Sequence, residues 1–154
     1  MQEKFFLQPG CIIVSKKPHL VSTILGSCVS VCIWDSKQHF GGMNHYIHPK
    51  SFDNEETAKF GNISIPYMLN LLLESDAKMH DLKAHIVGGA RSPHIDSSII
   101  GQENVKIAET FLRQNSIDII SKDTGGNKGR KVIFDTQSGE VIINKVNNIK
   151  ENNW

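Results

Sequence analysis

The chain has 154 residues, of which 39% are hydrophobic and 21% are charged. This composition is typical of a soluble globular protein, and the length fits one domain over residues 1–154. The 17 basic and 16 acidic side chains leave a net charge of +1, so the chain lacks the positive field that binding to nucleic acid requires.

Apolar segments are short throughout the sequence. The longest runs from about Ile63 to Leu73 and contains polar residues, so it falls far short of the roughly 20 apolar residues of a membrane-spanning helix. The start of the chain also lacks the pattern of a secretory signal. We therefore expect a cytoplasmic protein with no membrane insertion. Of its three cysteines at least one must be free, since three thiols cannot all pair and a cytoplasmic location disfavours disulfides.

The first third of the sequence predicts β-strands. Two short aliphatic runs, Cys11–Ser15 and Leu20–Leu25, are separated by turn-forming residues and are typical of strands. Two further runs, Val29–Trp34 and Phe40–Ile47, are joined by a polar segment. This pattern predicts a β-hairpin.

The length of the hairpin loop decides which residues face each other. If Ser36 and Lys37 form a two-residue loop, antiparallel pairing places Cys28 opposite His45. Opposed residues have Cβ atoms about 5 Å apart on the same face of the sheet, which brings the thiol and the imidazole within reach. A loop of four residues would change this register.

The middle of the chain predicts two helices with a strand between them. The segment Ile65–Leu73 is dense in helix formers, and Pro66 suits a first turn. Lys83–Val87 has the character of a short strand, and Gln102–Gln114 has apolar residues at helical spacing.

The last third predicts more sheet, with a polar tail. Strands are expected at Ile117–Ser121, Lys131–Asp135 and Glu140–Val146, whereas residues 147–154 are expected to be loose. Strands at both ends with helices between them indicate an α+β fold, a layered sandwich of mixed β-sheets flanked by helices.

Two glycine-rich segments, Gly88–Ala90 and Asp123–Asn127, lie in the second half of the chain. Neither has the spacing of a phosphate-binding loop. Both are therefore predicted to be tight turns that line a pocket.

A cysteine that follows two small residues is a candidate nucleophile. Gly26 and Ser27 before Cys28 allow backbone N–H groups to face a substrate, as stabilisation of an oxyanion requires. Most free cysteines, however, are packing residues. A thiol with a pKa of about 8.5 also needs a base to act at neutral pH. His45 is the candidate base.

The same segment allows a different interpretation as a zinc site. Four residues of types that bind zinc occur here: Cys28, Cys32, His45 and His48. In a strand, however, Cys28 and Cys32 would lie about 13 Å apart, too far to share one tetrahedral ion. We therefore interpret Cys11 and Cys32 as core thiols and expect neither a metal nor another cofactor.

Four sequence blocks follow one another along the chain: Leu25–Cys32, Gly41–His45, Val87–Ala90 and Asp123–Arg130. Together they resemble the chemoreceptor glutamine deamidases of the CheD family, over a region from about Pro9 to Val146. The resemblance implies an amidohydrolase that converts glutamines of methyl-accepting chemotaxis proteins to glutamates. Some members also hydrolyse receptor methyl esters.

The resemblance also implies site residues. The family's nucleophile matches Cys28 and its histidine matches His45, acting as a thiolate and an imidazolium in a reaction that passes through a thioester. A third member is a threonine six residues before the cysteine. Counted without gaps, that position is Ser22, which keeps a hydroxyl able to orient the imidazole. A one-residue shift of the strand would assign the role to Thr23 instead.

The implied partners are proteins of the chemotaxis system. The cytoplasmic domains of chemoreceptors would be the substrates, and some family members also bind a CheC-type phosphatase. The alternative function is therefore that of an adaptor. The family also resembles deamidating bacterial toxins, whose packed sheets with outer helices agree with the elements predicted here, although a shared fold does not establish activity.

Overall fold

The computed structural model describes residues 2–51, 53–91, 99–147 and 149. Within these ranges the chain forms nine strands and two α-helices. The strands are β1 (Glu3–Phe6), β2 (Ile12–Ser15), β3 (His19–Leu25), β4 (Val29–Asp35), β5 (Phe40–Asn44), β6 (Leu82–Gly88), β7 (Asp118–Thr124), β8 (Gly129–Asp135) and β9 (Val141–Val146). The helices are α1 (Gly61–Glu74) and α2 (Ile99–Gln114), and a short 3₁₀ turn (Met79–Asp81) precedes β6.

The strands form two sheets. One has four strands in the order β1-β3-β8-β9, and the other has five in the order β2-β5-β4-β6-β7. Each sheet is mixed, because β1 pairs in parallel with β3, and β6 in parallel with β7, while the other neighbours are antiparallel. The predicted α+β sandwich of mixed sheets is confirmed.

Alternation along β4 separates two apolar layers. Val29, Val31 and Ile33 point to one side, where they pack in one cluster with residues of α1 and α2. Cys28 and Cys32 point to the other side and belong to a cluster shared with β3 and β8. The five-stranded sheet therefore lies between the helices and the four-stranded sheet, with side chains buried on both faces.

Two elements differ from the sequence prediction. Helix α1 begins at Gly61, so Pro66 lies inside the helix and not in its first turn. Gly61 also allows a close approach that the pattern does not reveal: a Cβ there would lie 2.8 Å from Cε2 of Tyr46. Strand β1 was not predicted, because its four exposed residues show no alternation.

The hairpin of β4 and β5 has a longer loop than the prediction assumed. Asp35 pairs with Phe40, so the loop holds four residues, and the expected two-residue loop is wrong. The Asp35 carboxylate explains the difference, because its Oδ1 accepts hydrogen bonds of 2.9 Å from the N–H groups of both Lys37 and Gln38. This register shifts the pairing by two positions, which keeps every side chain on its predicted face.

The expected loose tail, residues 147–154, lies mostly outside the described residues. Of this segment the structure describes Asn147 and Ile149. The side chain of Ile149 is buried and packs against Gly129. In the described part of the chain, neither helix has the length and apolar character needed to cross a membrane.

Candidate active site

His45 is buried between the two sheets and is held by a threonine of the opposite sheet. Its Nδ1 lies 2.8 Å from Oγ1 of Thr23 on β3. The same hydroxyl donates a 2.8 Å hydrogen bond to the carbonyl oxygen of Leu7. Because a hydroxyl has one proton and a carbonyl can only accept, Thr23 must accept from the Nδ1–H of His45. Nε2 of the neutral ring is then unprotonated.

The backbone of His45 is fixed on both sides. Its N–H donates to the carbonyl of Cys11 at 3.2 Å, and its carbonyl accepts from the N–H of Gly10 at 2.7 Å. On the other side, the next residue, Tyr46, exchanges two backbone hydrogen bonds with Val29, at 3.1 and 3.2 Å. The imidazole is therefore positioned by neighbours from two strands as well as by its hydroxyl partner.

The pairing of Val29 with Tyr46 also determines where Cys28 lies. In this register His45 faces Ser30, and Cys28 points to the same side two residues away. Cys28 and His45 are thus diagonal neighbours, and such pairs have Cα atoms about 7 to 8 Å apart with Cβ atoms closer. The structure brings the two predicted residues together, although not as a directly opposed pair.

Burial disfavours the charged forms of both residues. Desolvation raises the pKa of the Cys28 thiol to about 12 and lowers the pKa of His45 to about 4. Both shifts favour a thiol and a neutral imidazole over the expected ion pair at neutral pH. Nε2 of His45 is buried and has no hydrogen-bond partner among the described residues. It is an acceptor available for a proton.

The hydroxyl that contacts His45 belongs to Thr23 and not to Ser22. Alternation along β3 buries Thr23 towards the second sheet, whereas Ser22 is on the other face of the strand and only partly buried. Successive side chains of a strand point to opposite faces, so Ser22 cannot take the place of its neighbour. The assignment of the orienting hydroxyl to Ser22 is corrected here to Thr23.

The loop that carries the cysteine is held through its carbonyl groups. The N–H of Ala90 donates to the carbonyl of Gly26, and the N–H of Gly89 donates to the carbonyl of Cys28, both at 2.9 Å. Gly89 has a φ of 71° and lies where a Cβ would be 2.4 Å from a methyl group of Val105. A glycine is therefore required for the close approach between this turn and helix α2.

The N–H groups of the same loop make few contacts. Among the described residues, the N–H of Ser27 has no hydrogen-bond acceptor, and the N–H of Cys28 points to its own thiol sulfur. Free backbone donors next to a nucleophile are the groups that stabilise an oxyanion. The pocket role of Gly26 and Ser27 stays a prediction.

The two glycine-rich turns border a cavity beside α2. Its volume is about 690 Å³, and its lining includes Gly89, Gly125, Gly126 and Lys106, so the predicted position of both turns is confirmed. Buried Arg130 holds the second turn, because its guanidinium donates to the carbonyl of Gly125 at 2.9 Å.

The remaining cysteines have different environments. Cys32 is fully buried between the sheets, as expected of a core thiol, but Cys11 is exposed. The interpretation of Cys11 as a core thiol is therefore wrong, because it precedes an edge strand of its sheet. Across the described ranges, the structure shows no group of three or more His, Cys, Asp or Glu side chains arranged to hold a metal ion.

Two buried asparagines near the site were not selected from the sequence. Asn44 is the residue before His45, and its Oδ1 accepts a 2.7 Å hydrogen bond from the N–H of Val31 on the facing strand β4. Asn104 on α2 contacts the cysteine loop. For Asn104 the sequence did contain a signal, a polar residue within the apolar stripe of a helix. A buried polar group needs hydrogen-bond partners, so such a residue is expected to contact another polar group.

Comparison with known proteins gives a consistent result. A family model described as CheD chemotactic sensory transduction matches residues 47–145. A protein of Sulfurimonas denitrificans named probable chemoreceptor glutamine deamidase CheD is 33% identical, over 94% of this chain and 95% of its own. Proteins of the same name from Trichlorobacter lovleyi and Anaeromyxobacter dehalogenans are 36% and 33% identical. Both alignments cover 92% of this chain. They cover 90% of the Trichlorobacter lovleyi protein and 84% of the Anaeromyxobacter dehalogenans protein.

Proposed function

This chain belongs to the CheD family, and on that premise we propose that it is a chemotaxis enzyme that deamidates glutamine side chains of chemoreceptors. The observation that carries the proposal is the state of His45. Thr23 fixes its Nδ1–H, and Nε2 is left buried, unprotonated and without a partner on the same face as Cys28. A thiol beside such a base is the arrangement that amide hydrolysis through a thioester requires.

The reaction begins with a neutral pair. As Sγ of Cys28 attacks the amide carbon, Nε2 of His45 takes the thiol proton, so charge appears only when the carbon–sulfur bond forms. The N–H groups of Ser27 and Cys28 bind the developing oxyanion. The imidazolium keeps its orientation because Nδ1–H still donates to Thr23.

The second half of the reaction uses the same base. Collapse of the tetrahedral intermediate breaks the carbon–nitrogen bond, and Nε2–H of His45 supplies the proton with which ammonia departs. Water then attacks the thioester, and Nε2 accepts its proton. Breakdown of this second intermediate releases glutamate and returns the proton to the thiol of Cys28.

Two finer properties follow from the family resemblance. The same acyl-enzyme forms from a receptor methyl ester when methanol, and not ammonia, is the leaving group. A CheC-type phosphatase is a candidate partner, in which case the chain also acts as an adaptor. We assign these roles to one domain of residues 1–154 acting in the cytoplasm, where the substrate domains of the receptors lie.

The test is deamidation of a purified receptor cytoplasmic domain from the same host. Peptide mass mapping detects the exchange of an amide NH₂ for OH at individual glutamines. We expect Cys28→Ala to abolish the exchange and Cys32→Ala, which removes a buried thiol from the same face of β4, to retain it. Activity that survives Cys28→Ala would exclude this mechanism, and restored chemotaxis by the same variant would favour the adaptor role.

A further inference from the structure

Asn104 is a fully buried amide on the side of α2 that faces the sheet. Its Nδ2 donates two hydrogen bonds, at 3.0 Å to the carbonyl of Ser27 and at 2.9 Å to the carbonyl of Ile47. Because only the nitrogen of the amide can donate to a carbonyl, these two contacts fix the orientation of the side chain.

The two carbonyls belong to the two segments that form the active site. Ser27 precedes Cys28 in the chain, and Ile47 is the residue that the β4–β5 register places opposite Cys28. The backbone carbonyl of Asn104 accepts a further hydrogen bond from the hydroxyl of Tyr46, which follows His45. One residue of α2 therefore joins the segment of the nucleophile to the segment of the base.

The oxygen of the same amide shows what this residue costs in stability. Oδ1 of Asn104 is buried and has no hydrogen-bond partner in the part of the chain that the structure describes, and a buried unsatisfied acceptor reduces stability. An apolar side chain of similar size would avoid that cost, but it would leave the carbonyls of Ser27 and Ile47 without donors. The two Nδ2 bonds, which join the two segments, are therefore what the site gains from this residue.

We propose that Asn104 is a positioning residue of the deamidase, which holds Cys28 at the distance from His45 Nε2 that proton transfer requires. The inference rests on the proposed function. It predicts that loss of the two Nδ2 bonds allows the cysteine loop to move relative to His45. A displacement of about 1 Å at a reacting group can reduce the rate about 100-fold.

The variant Asn104→Asp tests this role, because it keeps the shape of the side chain and leaves at most one donor, the O–H of a neutral carboxyl. On a receptor cytoplasmic domain we expect kcat to fall roughly 30- to 100-fold, with KM changed less than about threefold. The matched control is Leu112→Ala, which weakens the packing of α2 at another fully buried position without removing a hydrogen bond to the site. Below its unfolding temperature this control should keep kcat within about twofold of wild type.

The outcomes separate the two proposals. If the wild-type protein does not deamidate the receptor, the proposed function fails, whatever the variants do. If the wild type is active and Asn104→Asp loses no more kcat than Leu112→Ala, the positioning role is excluded. Should Asn104→Asp not fold, Asn104→Ala removes both donors and Asn104→Ser keeps one, and Asn104→Ser should lose less kcat than Asn104→Ala. Full activity of a folded Asn104→Ser would also overturn the inference.

Discussion

Thr23 and His45 lie on facing sheets, and the 2.8 Å contact between Oγ1 and Nδ1 connects the two sheets at the active site. The contact is directional, because the single proton of the hydroxyl is used by the carbonyl of Leu7. The fold thereby determines which nitrogen of the imidazole carries the proton. The tautomer, and with it the ability of Nε2 to act as a base, depends on the packing of the two sheets.

Removing this hydroxyl should impair catalysis more than folding. In Thr23→Val, Nδ1–H loses its acceptor and the ring can adopt the tautomer with a protonated Nε2. We expect kcat for receptor deamidation to fall roughly 10- to 100-fold. Thr23→Ser retains the hydroxyl and should keep most of the activity, which steady-state kinetics on a receptor domain will show.

The neighbouring serine provides the control for this prediction. Ser22 is on the opposite face of β3, where its register partner is Ile133. Ser22→Ala should therefore change kcat less than about twofold, as is usual for side chains outside the reacting site. The reverse result, a strong loss in Ser22→Ala with normal activity in Thr23→Val, would show that β3 is shifted by one residue.

Cys28 should react slowly with alkylating agents at neutral pH. Its pKa of about 12 leaves almost no thiolate near pH 7, and the thiolate is the nucleophile. The rate of modification by iodoacetamide should therefore rise about tenfold per pH unit up to at least pH 10. Peptide mapping in a Cys11→Ser background removes the signal of the exposed thiol. A plateau below pH 8 would show instead that an ion pair with His45 exists at rest.

The protein should lose stability in acid because of His45. The pKa of His45 is about 4 in the folded protein, below its ordinary value of about 6.5. The unfolded chain therefore binds a proton at about pH 6.5 that the folded protein does not bind until about pH 4. As the pH decreases from about 6.5 to about 4, the contribution of His45 to the free energy of unfolding decreases, and outside that interval it is constant. It amounts to about 3 kcal/mol.

Urea unfolding at pH 7 and pH 4 measures this effect. Other groups titrate in the same range, so the informative quantity is the difference between wild type and His45→Gln. The variant should lose less stability on acidification than wild type, by up to about 3 kcal/mol. Equal losses would mean that the imidazole is accessible to protons in the folded protein.

The sequence was sufficient for the layered fold and for placing Cys28 and His45 on the same face of one hairpin. Alternating and helical periodicities report which face of an element is buried, and the hairpin brings two segments together with few alternatives. It was not sufficient for the register. The four-residue loop depends on two hydrogen bonds to the Asp35 carboxylate, and turn-forming composition does not distinguish this loop from a two-residue turn.

The contacts that complete the site connect positions far apart in the chain. Thr23 meets His45 only because two sheets pack face to face, and Asn104 meets Ser27 across 77 positions. Local patterns carry no information about such pairs. They do show that Asn104 is a polar residue on an apolar helix face, which is a reason to ask what it binds.

The final prediction concerns the glycine that supports the cysteine loop. Gly89 has a positive φ, and its N–H holds the carbonyl of Cys28. In Gly89→Ala the new methyl group would meet Val105 at 2.4 Å and the carbonyl of Gly101 at 2.7 Å. Backbone strain and overpacking together should reduce the free energy of unfolding by about 2 to 4 kcal/mol. Activity should fall as well, because the displaced turn moves Cys28.

Gly125→Ala is the matched control, because Gly125 also has a positive φ, of 80°, but a Cβ there would meet no atom of the described residues within 4 Å. Only the backbone strain remains, at about 1 to 2 kcal/mol, and Cys28 is not displaced. Urea unfolding and deamidation kinetics of both variants separate strain from displacement. Equal stability and equal kcat of Gly89→Ala and Gly125→Ala would contradict this prediction. They would show that the close packing of α2 on the 88–90 turn does not hold the cysteine loop in place.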